Sequence, residues 1–374
     1  MLEYRNRFLR RILFCAPVFL FLLVSCGHPS PTGGTSGYGT NAPQASTSLM
    51  GEDPSGSEAQ KSEFDQVEVA VGINNLSVAP LFLADKAGYF KEEGIELKIV
   101  FVEGTGPAVQ ALVGQTVPFA VTGSGGITKA AEAGIDLIAI HSTVNRMTQD
   151  FVIRKEVLER LDVTPESPIE ERFRALEGLN LGITSPGAPT DVYTRYYLSQ
   201  AGLEPQVDAK IIAIGSGPSE TAALKQGIID GFMATPPEPQ IVVADGAGEI
   251  FISGSKGEVP GLEFLSYVMV ATRRSFAEQN TEIVRGVARA LARANNLILD
   301  RPEEALSFLQ DHFANVPPDI LKPAFESVAN AVPRDGKMNE VGWVNAIKID
   351  KLSGQIQQDL DPTERLLWTN EYLP

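Results

Sequence analysis

From Asp65 onward, short apolar runs alternate with longer stretches of helical spacing. Val67 to Ile73 (VEVAVGI) reads as a buried strand, Val78 to Glu93 as helix and Ile95 to Val102 (IELKIVFV) as a second strand. The same series starts again at Leu179 to Ile183 (LNLGI), runs through a helix near Asp191 to Ala201 and returns to a strand at Ala209 to Ile214. Each second strand ends in a like turn, Gly104-Thr105-Gly106-Pro107 and Gly215-Ser216-Gly217-Pro218, which opens a helix carrying Ala111-Leu112 or Ala223-Leu224. Short strands follow at Phe119 to Thr122 and Phe232 to Thr235, then helices closing near Gly134 and Gly248. The offset between the copies stays between 111 and 114 residues, the mark of an internal duplication.

Each copy is a βαβαβα series, which folds as a small, mostly parallel sheet wrapped by helices with right-handed crossovers. Two similar lobes follow, joined by strands near Phe151 to Ile153 and Leu265 to Ala271, with a helix-rich tail from Ser275 that packs back on the first lobe. Ligands of open α/β sheets collect beyond the carboxyl ends of the strands, so two facing lobes enclose a cleft lined by the turns.

Those turns are small and neutral. The first copy supplies Asn74, Asn75, Thr105, Gly106, Thr122, Gly123 and Ser124; the second supplies Ser185, Gly187, Thr190, Asp191, Ser216, Gly217, Thr235 and Glu238. Glycine lets backbone N–H groups approach a ligand, hydroxyls add rotatable donors, and helix N-termini favour negative groups. The competing reading is that the same residues cap helices and turn the chain. Tyr193, Tyr197 and Tyr267 are candidate stacking side chains, whereas His141 reads as a hydrogen-bonded structural histidine and Arg146 and Arg154 as solvated charges. Gly123 to Lys129 lacks P-loop spacing, and neither a Ser-His-Asp order nor a Gly-x-Ser-x-Gly elbow occurs, which argues against nucleotide hydrolysis and acyl transfer.

The first residues change the picture of where the chain works. Arg5, Arg7, Arg10 and Arg11 precede an apolar stretch from Ile12 to Val24 that is too short to span a bilayer and reads as a signal-peptide core. It ends in Leu23-Val24-Ser25-Cys26, which resembles the bacterial lipobox, so residues 1–25 are expected to be removed and Cys26 to carry lipid such as palmitate. Residues 26–65, rich in Gly, Ser, Thr and Pro, then form a flexible tether with a reach on the order of 35 Å. Losing four arginines and one glutamate takes the net charge from -16 to -19, an acidic body held at the membrane by lipid and unsuited to nucleic acid. With three scattered histidines and two cysteines, a zinc cluster is excluded, and neither a metal nor a cofactor is expected.

Four segments carry a family resemblance: Ser77 to Gly94 (SVAPLFLADKAGYFKEEG), Gly104 to Thr122, Leu176 to Gly187 (LEGLNLGITSPG) and Ala223 to Pro237 (AALKQGIIDGFMATPP). With them the body resembles the nitrate/sulfonate/taurine-type solute-binding proteins of bacterial ABC importers, grouped with thiamine-pyrimidine-precursor proteins. The resemblance implies an α/β, two-lobed type II periplasmic-binding-protein fold with a helical C-terminal tail. Lobe 1 then comprises residues 66–152 and 266–374, and lobe 2 residues 153–265. It further implies a monomeric, exported, non-enzymatic lipoprotein that captures a sulfonate-, nitrate- or taurine-like solute and delivers it to a permease with its ATPase. Position by position, the carried-over ligand contacts are Asn75, Thr105, Thr122, Ser124, Ser185, Thr190, Ser216 and Thr235, beside the backbone of Gly106 and Gly187. Members that bind strong anions often add a cleft arginine, and none has a place among these turns. Three alternatives share the fold: uptake of a thiamine pyrimidine precursor, a pyrimidine-synthase-like enzyme, and a receptor-coupled sensor lipoprotein.

Overall fold

A computed structural model describes residues 65–215 and 217–374. The expected signal segment, Cys26, the tether up to residue 64 and Ser216 lie outside the described residues. Among the described residues no helix is long and apolar enough to cross a membrane.

The first copy runs β1 (Asp65–Val71), α1 (Ala79–Lys86), α2 (Tyr89–Glu92), β2 (Ile95–Phe101), α3 (Thr105–Val113), β3 (Phe119–Gly123), α4 (Ser124–Glu132) and β4 (Leu137–Val144). The chain then crosses into β5 (Asp150–Arg154), α5 (Lys155–Leu158), α6 (Ile169–Arg174), β6 (Asn180–Ile183), α7 (Pro189–Gln200), β7 (Lys210–Ala213), α8 (Gly217–Lys225), β8 (Gly231–Ala234), α9 (Glu238–Ala244) and β9 (Gly248–Ser253). It returns through β10 (Val268–Arg273) and ends in α10 (Arg274–Gln279), α11 (Thr281–Asp300), α12 (Pro302–His312), α13 (Pro318–Ala329) and α14 (Glu340–Leu352).

Two five-stranded sheets result, ordered β2-β1-β3-β10-β4 and β7-β6-β8-β5-β9. The orders match strand for strand, which is the duplication expressed in three dimensions. Strands β1, β2 and β3 are mutually parallel, as are β6, β7 and β8. Each sheet also contains one antiparallel strand: β10 between β3 and β4, and β5 between β8 and β9. The sequence places both connecting strands but not their direction or their central position. A chain arriving from the other sheet enters against the local strands.

Strand alternation sorts the first core. Val69, Val71, Phe119, Val121, Ile138 and Ile140 face the layer of α1 and α11, while Ala70, Ala120, Ala139 and Ala271 face the opposite layer with Trp343 and Trp368. Small residues on that second face leave room for the two indoles, which are 0% and 4% exposed. The tail is fixed by backbone pairing to β4, since Ala139 N–H donates to Leu367 O at 2.9 Å and Thr369 N–H to Ala139 O at 2.9 Å. It does not stop at the first sheet: α14 packs on both α4 and α7, and α13 reaches α9.

His141 lies inside β4, fully buried, with Nε2 3.4 Å from Asn295 Oδ1. Burial pushes its imidazole down to about 4, so it is neutral at physiological pH. Asn295 of α11 also donates to Ser142 O at 3.1 Å and Pro333 O at 2.7 Å, tying the tail to the sheet. Gly336 (φ +71°) closes over the ring; a Cβ there would fall 2.0 Å from His141 Cε1.

Candidate functional site between the strand ends

The carboxyl ends of β1, β2 and β3 are drawn together by backbone contact. A Cβ on Gly72 would lie 2.0 Å from Gly104 O, so only glycine lets the end of β1 meet the turn that opens α3. Thr105 is half-buried at the start of α3 and Gly106 is exposed. Asn75 caps the 3₁₀ turn after β1, its Oδ1 accepting from Ser77 N–H at 3.0 Å. Asn74 Oδ1 meets His312 Nε2 at 2.8 Å, and that imidazole stacks 3.8 Å from Phe82. Thr122 is buried, donates to Gly123 O at 3.1 Å, and fills the space that a Cβ on Gly126 would need. Ser124, also buried, opens α4.

In the second half, Ser185 and Gly187 are exposed and Thr190 is buried. Thr190 Oγ1 accepts from Thr184 N–H at 3.0 Å and pairs with Thr184 Oγ1 at 2.8 Å. Gly187 N–H donates to Asp191 Oδ2 at 2.8 Å, while Arg195 donates to Asp191 Oδ1 at 2.6 Å. Thr235, half-buried at the end of β8, hydrogen-bonds with the Tyr267 hydroxyl. Among the sequence candidates, Asn75, Thr122 and Thr190 thus spend a polar atom on neighbouring backbone, as capping residues do.

A chain of hydroxyls joins the halves. Ser77 Oγ and Thr148 Oγ1 are 2.8 Å apart, and Tyr267 hydrogen-bonds with both Thr148 and Thr235. Ser77, Thr148 and Tyr267 are 1%, 0% and 6% exposed. Tyr193 tilts against Tyr267 with ring centres 5.8 Å apart, and burial raises both phenols above their ordinary value. Tyr197 belongs elsewhere: it is fully buried, 5.1 Å from the Phe173 ring, with its hydroxyl on Met147 Sδ.

Glu238, named from its turn, is joined by carboxylates that the sequence reading passed over, Asp350, Glu220 and Asp150. Asp350 of α14 is 5% exposed and accepts from Thr128 Oγ1 at 2.7 Å. Its Oδ1 is 3.5 Å from where a Gly125 Cβ would stand, so it covers the first turn of α4. Burial lifts its carboxyl to about 6 despite Thr128 and nearby Lys129. The Cγ of Glu238 would be 2.6 Å from a Cβ on Gly217, over the first turn of α8. Burial and Glu238 together push Glu220 up to about 8. At the crossing into β5, Asp150 accepts from Ser253 Oγ at 2.7 Å and Ser255 Oγ at 3.0 Å, and burial holds it at about 6. Of the helix N-termini at this end, α4, α7 and α8 therefore each carry a carboxylate of the chain itself, whereas the first turn of α3 has no acid. The two arginines weighed from sequence are both tied: Arg146 donates to Glu263 O at 3.1 Å, and Arg154 to Asp230 Oδ1 at 3.1 Å. Among the described residues no group of three His, Cys, Asp or Glu is placed to hold a metal ion.

The fold matches that of solved binding proteins. The periplasmic aliphatic sulphonate binding protein SsuA from Escherichia coli superposes with a TM-score of 0.62 at 17% identity, covering 82% of this chain and 99% of that one. The periplasmic nitrate-binding protein NrtA from Synechocystis PCC 6803 gives 0.62 at 17% identity, covering 80% and 84%. A curated relative, the 4-amino-5-hydroxymethyl-2-methylpyrimidine phosphate synthase of Aspergillus parasiticus, is 25% identical over 306 residues, 79% of this chain and 83% of its own length. Residues 60–309 match the model of the NMT1-like family, and with the paired sheets of a periplasmic binding protein the chain belongs to that family.

Proposed function

We propose that the chain is the solute-binding component of an ABC importer, exported, anchored by lipid on Cys26, and working by closure of two lobes without chemistry of its own. Its lobes are residues 66–152 with 266–374, and residues 153–265. The observation that carries the reading is the pair of sheets, each holding one antiparallel strand through which the chain crosses between them, with a hydroxyl chain from Ser77 through Thr148 and Tyr267 to Thr235 at their junction. Such a junction lets the halves rotate about two short crossings, and a solute touching both strand-end clusters favours the closed form that a permease recognises. SsuA and NrtA, whose folds it shares, bind sulphonate and nitrate. The contacts proposed for the solute are Asn75, Thr105, Gly106, Thr122, Ser124, Ser185, Gly187, Thr190, Ser216 and Thr235.

Calorimetry with small sulfonates, nitrate, bicarbonate, taurine and aminopyrimidines tests the reading, with small-angle scattering to follow closure. Binding by one class with a contracted radius is expected; no binding by any, or binding without contraction, refutes it. Labelled palmitate incorporation that disappears in Cys26→Ala tests the anchor.

A synthase-like enzyme is the second reading, favoured by the Aspergillus relative. Its chemistry would need reactive groups in the cleft, and His141 is locked in the core by Asn295 while His312 is stacked on Phe82. Formation of a pyrimidine product from pyridoxal phosphate and iron would establish it against the transport reading.

A further inference from the structure

We propose that the corner between α8 and α9, formed by Glu220 and Glu238, is the subsite for a positively charged, hydrogen-bond-donating group of the solute, an ammonium or amidinium. This rests on the solute-binding reading above and narrows it to a class of ligand.

The argument comes from comparing the two copies. At the duplication offsets, Glu220 stands where the first copy has Val109, Glu238 where it has Gly125, and Gln240 where it has Ile127. In the first copy Val109 and Ile127 pack apolar matter between α3 and α4, Ile127 fully buried and Val109 Cγ2 2.9 Å from where a Gly126 Cβ would stand, while Gly125 is covered by Asp350 and Gln355. The same fold in the second copy therefore has no packing need for a carboxyl at position 220. Glu220 is nevertheless 1% exposed, and neither of its carboxyl oxygens has a hydrogen-bond partner. The buried Oε1 of Gln240 has none either.

Two buried oxygens in this corner, both of Glu220, lack partners, an arrangement that costs stability unless something supplies the donors. The sign of the missing group follows from its neighbours. Glu238 lies over the first turn of α8 and acts electrostatically on Glu220, so the corner holds two carboxyls. A group with several N–H donors and a positive charge takes the place of the proton that Glu220 otherwise holds and supplies both carboxyls, whereas an anion does neither. Glu238 is half-buried and opens α9, shortly after the end of β8, the side of the sheet on which the proposed solute contacts stand.

The test uses the full chain in detergent and matched pairs of probes: 2-aminoethanesulfonate against ethanesulfonate, benzylamine against benzyl alcohol, and 4-aminopyrimidine against pyrimidine. In at least one pair the amino-bearing member is expected to bind tenfold or more tightly. Glu220→Gln and Glu220→Val should each reduce that affinity at least tenfold. Glu220→Val, which restores the residue type of the first copy, should at the same time raise the unfolding temperature. Equal binding within every pair that binds, or unchanged affinity in both variants, overturns the subsite and leaves the solute-binding reading standing. Binding by no probe overturns the subsite and counts against the importer reading as well.

Discussion

Asp350 offers the sharpest physical test of how the halves are held. It reaches from α14 into the first turn of α4, with 5% exposure and one hydrogen bond from Thr128, and it lies close enough to Tyr193 of α7 to act on that phenol. Burial raises its carboxyl from 3.8 to about 6. Because the folded state holds the proton more tightly than the unfolded chain, the contribution to stability is fully present below pH 3.8 and is lost as the pH rises through 6. The span corresponds to ~3 kcal/mol, lost across that window. Asp350→Asn keeps an acceptor for Thr128, and Gln355 Oε1, 3.3 Å from the same Gly125 Cβ position, stands ready to receive the new amide. The variant should therefore differ little from the parent near pH 4 and be more stable by about 3 kcal/mol near pH 7.5. Urea unfolding at pH 4, 5, 6 and 7.5, followed by the fluorescence of the buried Trp343 on the same helix, measures the difference directly. A stability difference that stays flat with pH, or that turns against the variant as pH rises, would show that the carboxylate is ionised in the fold and refute the reasoning.

Three further outcomes follow from contacts elsewhere. Gly72→Ala drives a methyl into the Gly104 carbonyl, backbone that cannot swing away, and should cost ~3 kcal/mol in urea unfolding while displacing the Thr105 turn and weakening solute binding. Asn295→Ala strands the Ser142 and Pro333 carbonyls and should lower stability by about 2–4 kcal/mol, with accelerated hydrogen exchange in α11 and β4 as its signature. Tyr267→Phe removes the hydroxyl that links Thr148 with Thr235; calorimetry should give a stability loss of about 1 kcal/mol, and scattering a weaker contraction on solute binding.

What could be read from the sequence was what is local. Strands, helices and the paired glycine turns each declare themselves over a few residues, and a duplication doubles the signal, so β1 to β3 and β6 to β8 stand close to where the apolar runs place them. The antiparallel insertion of the connecting strands β5 and β10 inside the sheets was hidden because pairing partners lie far apart along the chain, and nothing in an apolar run states its direction. The site divided in the same way. Thr105, Thr122 and Thr235 are visible from their turns, but Thr148 reaches Ser77 across 71 residues and Asp350 reaches Thr128 across 222. Glu220 was hidden for another reason: an acid in the first turn of a helix reads as a solvated partner of the dipole, and only the structure shows it buried.

The carboxylates also bear on what the strand-end cluster selects. Taken alone, converging helix N-termini and small hydroxyl residues attract an anion, and the sequence invites that conclusion. In the structure α4 already faces Asp350 and α8 faces Glu238, while Asp191 at α7 is paired with Arg195. A further unit negative charge placed about 4 Å from one such carboxylate meets a repulsion of ~4 kcal/mol at an effective dielectric near 20, several times the 0.3–1 kcal/mol that a helix terminus commonly offers. Protonation softens this only in part, since Asp350 at about 6 is charged at neutral pH while Glu220 at about 8 is not. The first copy imports its acid from the tail and the second encodes its own at Glu238. At α4, α7 and α8 the helix ends are thus answered internally, and on the subsite proposed above it is an amino group of the solute, rather than an acid group alone, that sets the recognition.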